Sequence, residues 1–304
     1  MFGMIIVDSM GDYDYVIWPL DESIWNGLST ADCIFPSFLF MMGLAIPLAI
    51  KRETIREKST WIKIFKRASI MFAIGLLLNI ELRIPELFTD YSGFRIPGVL
   101  QRISICYMVI SINYLVFSHF LYHLIFIASC LIIYLGFYYG FDVPNFRGVD
   151  CGRGDVSSEC NFGAFLDYKI FGPMYMMWDT DPEGLMSTLP AFVNTFSGMC
   201  YTLIMRRNTQ QKGSKLNLLK LWFGFACILG ALGGLAAIGD VVNKKRWSVS
   251  FAFITSSMTG MALCLCFILV DILDKRFIKE YLIRPFLWFG MNPLFIYTGM
   301  MLLD

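Results

Sequence analysis

Phe120-Leu121-Tyr122-His123-Leu124-Ile125-Phe126-Ile127-Ala128-Ser129-Cys130-Leu131-Ile132-Ile133-Tyr134-Leu135-Gly136-Phe137-Tyr138-Tyr139-Gly140-Phe141 runs for 22 residues without an Asp, Glu, Lys or Arg. A bilayer core about 30 Å thick needs about 20 mostly apolar residues per helix, because backbone polar groups cannot go unpaired in hydrocarbon. The stretch therefore reads as a membrane span, and its neighbours repeat the pattern. Further spans are expected at about 31–50, 64–80, 100–118, 184–205, 218–240, 249–270 and 283–303. Met1-Phe2-Gly3-Met4-Ile5-Ile6-Val7 looks like the second half of another, since it has neither the basic start nor the cleavage site of a signal peptide. Of the 304 residues, 57% are hydrophobic and 16% charged, and the mean hydropathy is +0.60. A soluble domain is nearer 45–50% apolar and about 25% charged. The expected fold is a single all-α transmembrane bundle over 1–304, with about eight complete spans and a clipped first one.

Loop charges set the expected orientation, because Lys and Arg accumulate on the cytosolic side. Lys51 to Arg67 holds seven basic residues against Glu53 and Glu57. With that segment cytosolic, 51–67, 118–123, 206–220 and 271–284 together carry 16 of the 25 Lys and Arg but only 5 of the 24 acidic residues. The non-cytosolic loops are then 8–30, 81–99, 142–183 and 241–248. Lys244-Lys245-Arg246 dissents from this pattern, which snorkelling or an anionic ligand would explain. The 142–183 loop is long enough to be a functional cap and holds Cys151 and Cys160, which pair or stay free according to the compartment. The other seven cysteines fall in spans, where cysteine acts as a small apolar residue.

Ionisable groups within or at the mouth of a span normally face a cavity or a partner. Asp8, Asp21, Glu22, Trp25, Asn26, Asp32, Gln101, Arg102, Asp181 and Glu183 all stand at non-cytosolic helix ends, while Asn292-Pro293 interrupts the last span. Each has a structural reading beside the functional one. Asp32 and Arg102 make either a buried ion pair or part of a site. Asp181 before Pro182 has the form of an N-cap with proline at the first helical position, and Trp25 that of an interfacial aromatic. His119 and His123 lack a carboxylate or cysteine neighbour and read as a solvated turn rather than a metal site. No Walker loop, dinucleotide fingerprint or zinc-cysteine pattern occurs. No metal and no nucleic-acid partner is expected. The lipid bilayer is the expected surrounding, and homo-oligomerisation is left open.

Ile24-Trp25-Asn26-Gly27-Leu28-Ser29-Thr30-Ala31-Asp32-Cys33-Ile34-Phe35-Pro36 opens a stretch, reaching Gly43, that resembles the membrane-bound heparan-α-glucosaminide N-acetyltransferase family and its bacterial relatives. Arg95-Ile96-Pro97-Gly98-Val99-Leu100-Gln101-Arg102-Ile103 and Asp181-Pro182-Glu183-Gly184-Leu185-Met186-Ser187-Thr188-Leu189-Pro190 resemble its fourth- and sixth-span signatures. Arg246-Trp247-Ser248 and Gly290-Met291-Asn292-Pro293-Leu294 complete the ordered series. The resemblance implies transfer of an acetyl group from cytosolic acetyl-CoA, a co-substrate, to the amine of a terminal glucosamine on a glycosaminoglycan end or related amino sugar across the membrane. It implies a lysosomal or other endomembrane location in a eukaryote and the inner membrane in a bacterium.

Two departures bear on chemistry. The family carries a catalytic histidine three residues before its WNG tryptophan, where this chain has Glu22; its asparagine near the end of the first span aligns with Asp8. Histidine can carry an acetyl group or act as a base, whereas acetylating a carboxylate gives a labile mixed anhydride. Glu22 and Asp8 are thus the catalytic candidates, for direct transfer in a ternary complex. Trp25, Asn26, Asp32, Arg102, Asp181, Glu183 and Asn292 are the substrate-binding candidates. The arginine-bearing start of the family's first helix and its final spans are missing, so the chain reads as a fragment. A pseudoenzyme of the same fold and a small polar-solute transporter remain as alternatives, since intramembrane charges and broken helices serve transport equally well.

In sealed vesicles of known sidedness, an impermeant thiol reagent should reach Ser157→Cys only from the non-cytosolic face and Lys63→Cys only from the cytosolic face. The reverse pattern would invert the orientation.

Overall fold

The computed structural model describes residues 2–8, 19–81, 95–172, 180–273, 280 and 283–303. Its elements are helices: α1 (Phe2–Asp8), α2 (Ile34–Ala49), α3 (Lys58–Glu81), α4 (Val99–Val116), α5 (Phe120–Gly140), α6 (Phe162–Phe171), α7 (Thr188–Gln210), α8 (Lys215–Ala236), α9 (Val249–Phe267), α10 (Arg284–Met291) and α11 (Pro293–Leu303). Short 3₁₀ turns at Ala31–Cys33 and Arg52–Arg56 precede α2 and α3, and a π turn at Ile268–Ile272 extends α9. Two isolated β-bridges occur in the loop after α5, and no strand forms among the described residues.

Among the described residues, five helical stretches are long and apolar enough to cross a membrane: Ala31–Ala49, Val99–Val116, Phe120–Gly140, Lys215–Ala236 and Val249–Ile272. The chain is an integral membrane protein by this reading, and its other long helices differ in character. α3 begins among lysines at Lys58. The expected span at 283–303 is two helices, broken at Asn292. α7 has the length of a span but carries Asn194, Thr195, Ser197 and Thr202 in its interior, all buried.

That polar helix lies at the centre. α7 packs most extensively on α2 and also touches α4, α5, α8 and α9. The α2–α7 crossing is close because both helices offer glycine: a Cβ on Gly43 would overlap the Thr195 carbonyl, and one on Gly198 would overlap that of Phe40. Asn194 Nδ2 donates to the Ala252 carbonyl (3.1 Å) and to Thr255 Oγ1 (3.0 Å), while its Oδ1 accepts from Trp247 Nε1 (3.0 Å). Every polar atom of that side chain is thus answered by α9 or the turn before it.

At the end of the bundle that holds Asp32, the segment after α5 folds over the helices. Cys151 and Cys160 form a disulfide with Cα atoms 5.3 Å apart. Asn161 caps α6 by accepting from Ala164 N (2.9 Å), and Phe162 stacks on Phe137 of α5 with ring centroids 4.8 Å apart. Asp167 points from α6 into the protein and accepts from Leu185 N (3.1 Å). Burial pushes its carboxyl up to about 7; Asp181 adds to the rise, against the Leu185 N–H, Arg102 and Arg95.

A carboxyl raised on folding favours the native state in its protonated form. Its contribution is full below the unfolded value, about 4, and is lost as pH climbs through about 7. In detergent, Asp167→Asn should melt with a weaker pH dependence than the parent between pH 4 and 7. The parent should lose several degrees relative to the variant over that range, and parallel melting curves would refute the assignment.

Candidate functional site

The site is built where residues 19–33 meet 240–248. Gly27 donates its backbone N–H to the Val242 carbonyl (2.9 Å) at a φ of 130°, a conformation that favours glycine. Asn26 Oδ1 accepts from Asn243 Nδ2 (3.1 Å). Asn243 then organises the following turn: its N–H reaches Ser248 Oγ (3.0 Å), and its Oδ1 accepts from Arg246 N (2.8 Å). Trp247 N closes the turn on the Lys244 carbonyl (2.9 Å). The backbone of Lys244 is therefore fixed by contacts that do not involve its side chain.

Asp32, on the 3₁₀ turn before α2, is fully buried. Its Oδ2 accepts from Ser23 Oγ (2.8 Å), Ser29 N (2.9 Å) and Ser23 N (3.3 Å). Its Oδ1 has no hydrogen-bond partner and faces Lys244 Nζ at 3.3 Å. The same ammonium is paired with Glu22, whose side chain is 52% exposed while that of Lys244 is 13% exposed. Burial works against the charge on Lys244, yet Glu22 and then Asp32 outweigh it and hold the ammonium above the ordinary lysine range. The basic residue that dissented from the charge pattern thus serves the chain's own carboxylates.

Arg102 does not pair with Asp32. It lies buried at the start of α4, where Nη2 donates to the Gly184 carbonyl (3.2 Å) and to Ser187 Oγ. Its guanidinium stacks over Trp247 (4.8 Å) and faces Phe35 (5.9 Å). Among the described residues no carboxylate forms an ion pair with it, and its Nε and Nη1 have no hydrogen-bond partner. Lys244 already answers Asp32, and Arg95 takes two other nearby acids.

Asp181 and Glu183 are those acids. Arg95 bonds Asp181 through Nε (2.8 Å) and Nη2 (2.5 Å), and also reaches Glu183. The N-cap expectation fails, because α7 starts at Thr188 and Asp181 Oδ1 instead accepts from Glu183 N (2.8 Å) in the preceding turn. Trp25 is half-buried and makes no hydrogen bond among the described residues. Asn292 stands apart at the break between α10 and α11. Asp8 ends α1, with its side chain outside the described residues. The structure therefore brings together Glu22, Asn26 and Asp32, and in a neighbouring group Arg102, Asp181 and Glu183. Sequence reasoning did not select Arg95 or Asn243 as functional, although Arg95 stands in a quoted signature.

His123 also departs from expectation. It is fully buried, with Nδ1 2.5 Å from Asn113 Oδ1 and Nε2 2.9 Å from Arg52 Nη2. A guanidinium only donates, so Nε2 accepts and Nδ1 carries the proton. No group of His, Cys, Asp and Glu among the described residues is arranged to hold a metal ion.

No family model matches the chain. It is similar to the human protein heparan-alpha-glucosaminide N-acetyltransferase, at 26% identity over 331 aligned residues, covering 93% of this chain and 48% of the human one. The mouse protein of the same name gives 26% over 336 residues, 93% and 49%. The chain spans about half the length of the curated relatives it matches. Over most of its length the chain is therefore similar to proteins named heparan-alpha-glucosaminide N-acetyltransferase.

Proposed function

We propose that this chain transfers an acetyl group from cytosolic acetyl-CoA to the amine of a terminal glucosamine or related amino sugar on the opposite face. The observation that carries the reading is the meeting of Glu22, Asp32 and Lys244 beside Asn26 and Asn243 at one end of the bundle. The names of the relatives supply the reaction class. In this reading the chain crosses the membrane eight times, with α3, α7 and the broken α10–α11 joining the five apolar helices. The basic loops then face the phosphates of CoA. An apolar cavity of about 390 Å³ between α2, α3, α4 and the last two helices, walled by Phe38, Met42, Met71, Tyr107 and Leu294 with Arg67 as its charged member, provides room for an uncharged acyl arm.

The chemistry follows from the exposed carboxylate. A sugar ammonium first sheds one proton to solvent. The neutral amine attacks the thioester carbonyl, forming C–N as the C–S bond breaks onto sulfur. Glu22 takes the second nitrogen proton and passes it to the departing thiolate. Asp32, buried and held by three donors, keeps negative charge at the amine end without becoming the nucleophile. Arg102, Asp181 and Glu183 shape the loop that leads into α7.

A second reading, a pseudoenzyme of the same fold, is favoured by one observation: Glu22 is already engaged by Lys244. The transporter alternative draws on the break at Asn292-Pro293, and solute counterflow in vesicles separates it from both.

With acetyl transfer to glucosamine as the readout, Glu22→Gln should retain CoA binding and lose about 10²–10⁴ in rate, the usual share of a general base. Equal rates would remove Glu22 from the mechanism. An inactive parent with turnover only in Glu22→His would establish the pseudoenzyme reading.

A further inference from the structure

Two carboxylates and one ammonium leave an excess negative charge at the Glu22–Asp32 end. Asp32 divides its labour unequally: Oδ2 is saturated by three donors, whereas the buried Oδ1 has no hydrogen bond and looks only at Lys244 Nζ, 3.3 Å away. Such an orphaned acceptor costs free energy unless a cation stands before it. The cation present reaches its place on four methylenes, while its backbone carbonyl accepts from Trp247 N in a turn that Asn243 braces through Arg246 N. The Lys244 ammonium can therefore swing away without disturbing the turn that carries it. Glu22, half exposed, lies on the open side.

The geometry points to a primary-ammonium site formed by Glu22 and Asp32, with Lys244 as its intrachain occupant, displaced when an amine-bearing ligand enters. This rests on the amino-sugar reading for the class of ligand and adds which atoms hold the amine and what competes for them. A primary ammonium is the group that Lys244 itself presents, so glucosamine matches it in charge and donor number, whereas N-acetylglucosamine and glucose do not. An occupant that fills the site most of the time weakens the apparent affinity of a ligand by the fraction of empty sites.

The test is binding to the full chain in detergent, without an acyl donor. If the site is empty about 1–10% of the time, a minor-state population of ordinary size, Lys244→Met should bind glucosamine about 10- to 100-fold more tightly than the parent. N-acetylglucosamine and glucose should gain nothing. Adding Glu22→Gln to Lys244→Met should reverse most of the gain. Unchanged affinity in Lys244→Met, or an equal gain for N-acetylglucosamine, overturns the proposal.

A readout on the parent side chain covers the case in which Lys244→Met does not fold. After reductive ¹³C-dimethylation, which keeps the lysine charge, the resonance assigned to Lys244 by its loss in Lys244→Arg should move on adding glucosamine and stay in place with N-acetylglucosamine. A resonance unmoved by millimolar glucosamine overturns the proposal equally. Turnover plays no part in either measurement, so a chain that binds glucosamine in this way yet transfers no acetyl group refutes the transferase reading alone.

Discussion

A helix carrying Asn194, Thr195, Ser197 and Thr202 can stand inside an apolar bundle only if its neighbours meet its polar groups, since each one left unpaired costs about 1–3 kcal/mol. α7 meets this constraint by being enclosed, with Thr195 Oγ1 the buried exception. α9 supplies acceptors for the Asn194 amide, Trp247 donates to its oxygen, and Thr202 donates to the Leu44 carbonyl of α2 (2.7 Å). Trp247 in turn lies under the Arg102 guanidinium, which grips the turn leading into α7. The loops bearing Asp32 and Lys244 hang from the same frame.

Charge within this frame is sorted into small closed groups. Glu22 and Asp32 share Lys244, Asp181 and Glu183 share Arg95, and Asp240 holds Arg246 at 3.0 Å. Buried charges are tolerated when paired and hydrogen-bonded, and these groups satisfy that rule by different means. Arg102 departs from it, with its charge spread over a planar group lying against two aromatic rings. Arginine suits that position better than lysine, whose compact ammonium is more strongly hydrated.

Much of this was legible in the amino-acid sequence, for identifiable reasons. Apolar runs mark α4, α5, α8 and α9 directly, because a helix face turned to lipid must be apolar. Asp32, Arg102 and Glu22 stood out as charges at span mouths. Their partners did not, because Lys244 lies 212 residues from Asp32, and no local periodicity encodes which loops meet. Asp181 misled for a related reason: Asp-Pro-Glu has the form of a helix start, and the competing claim of Arg95, 86 residues away, moved that start to Thr188. His123 was read as solvated by its place near a turn, whereas Arg52 and Asn113 enclose it.

The glycine contact between α2 and α7 also acts as a fulcrum. Gly43 lies eleven residues from Asp32, about 16 Å along a rod that rises about 1.5 Å per residue. With the two backbones already touching, a larger residue at either glycine cannot be absorbed locally and must pivot α2 about its crossing point. The far arm of that lever carries Asp32 past Lys244, so spacing in the middle of the bundle sets the separation of charges at its end.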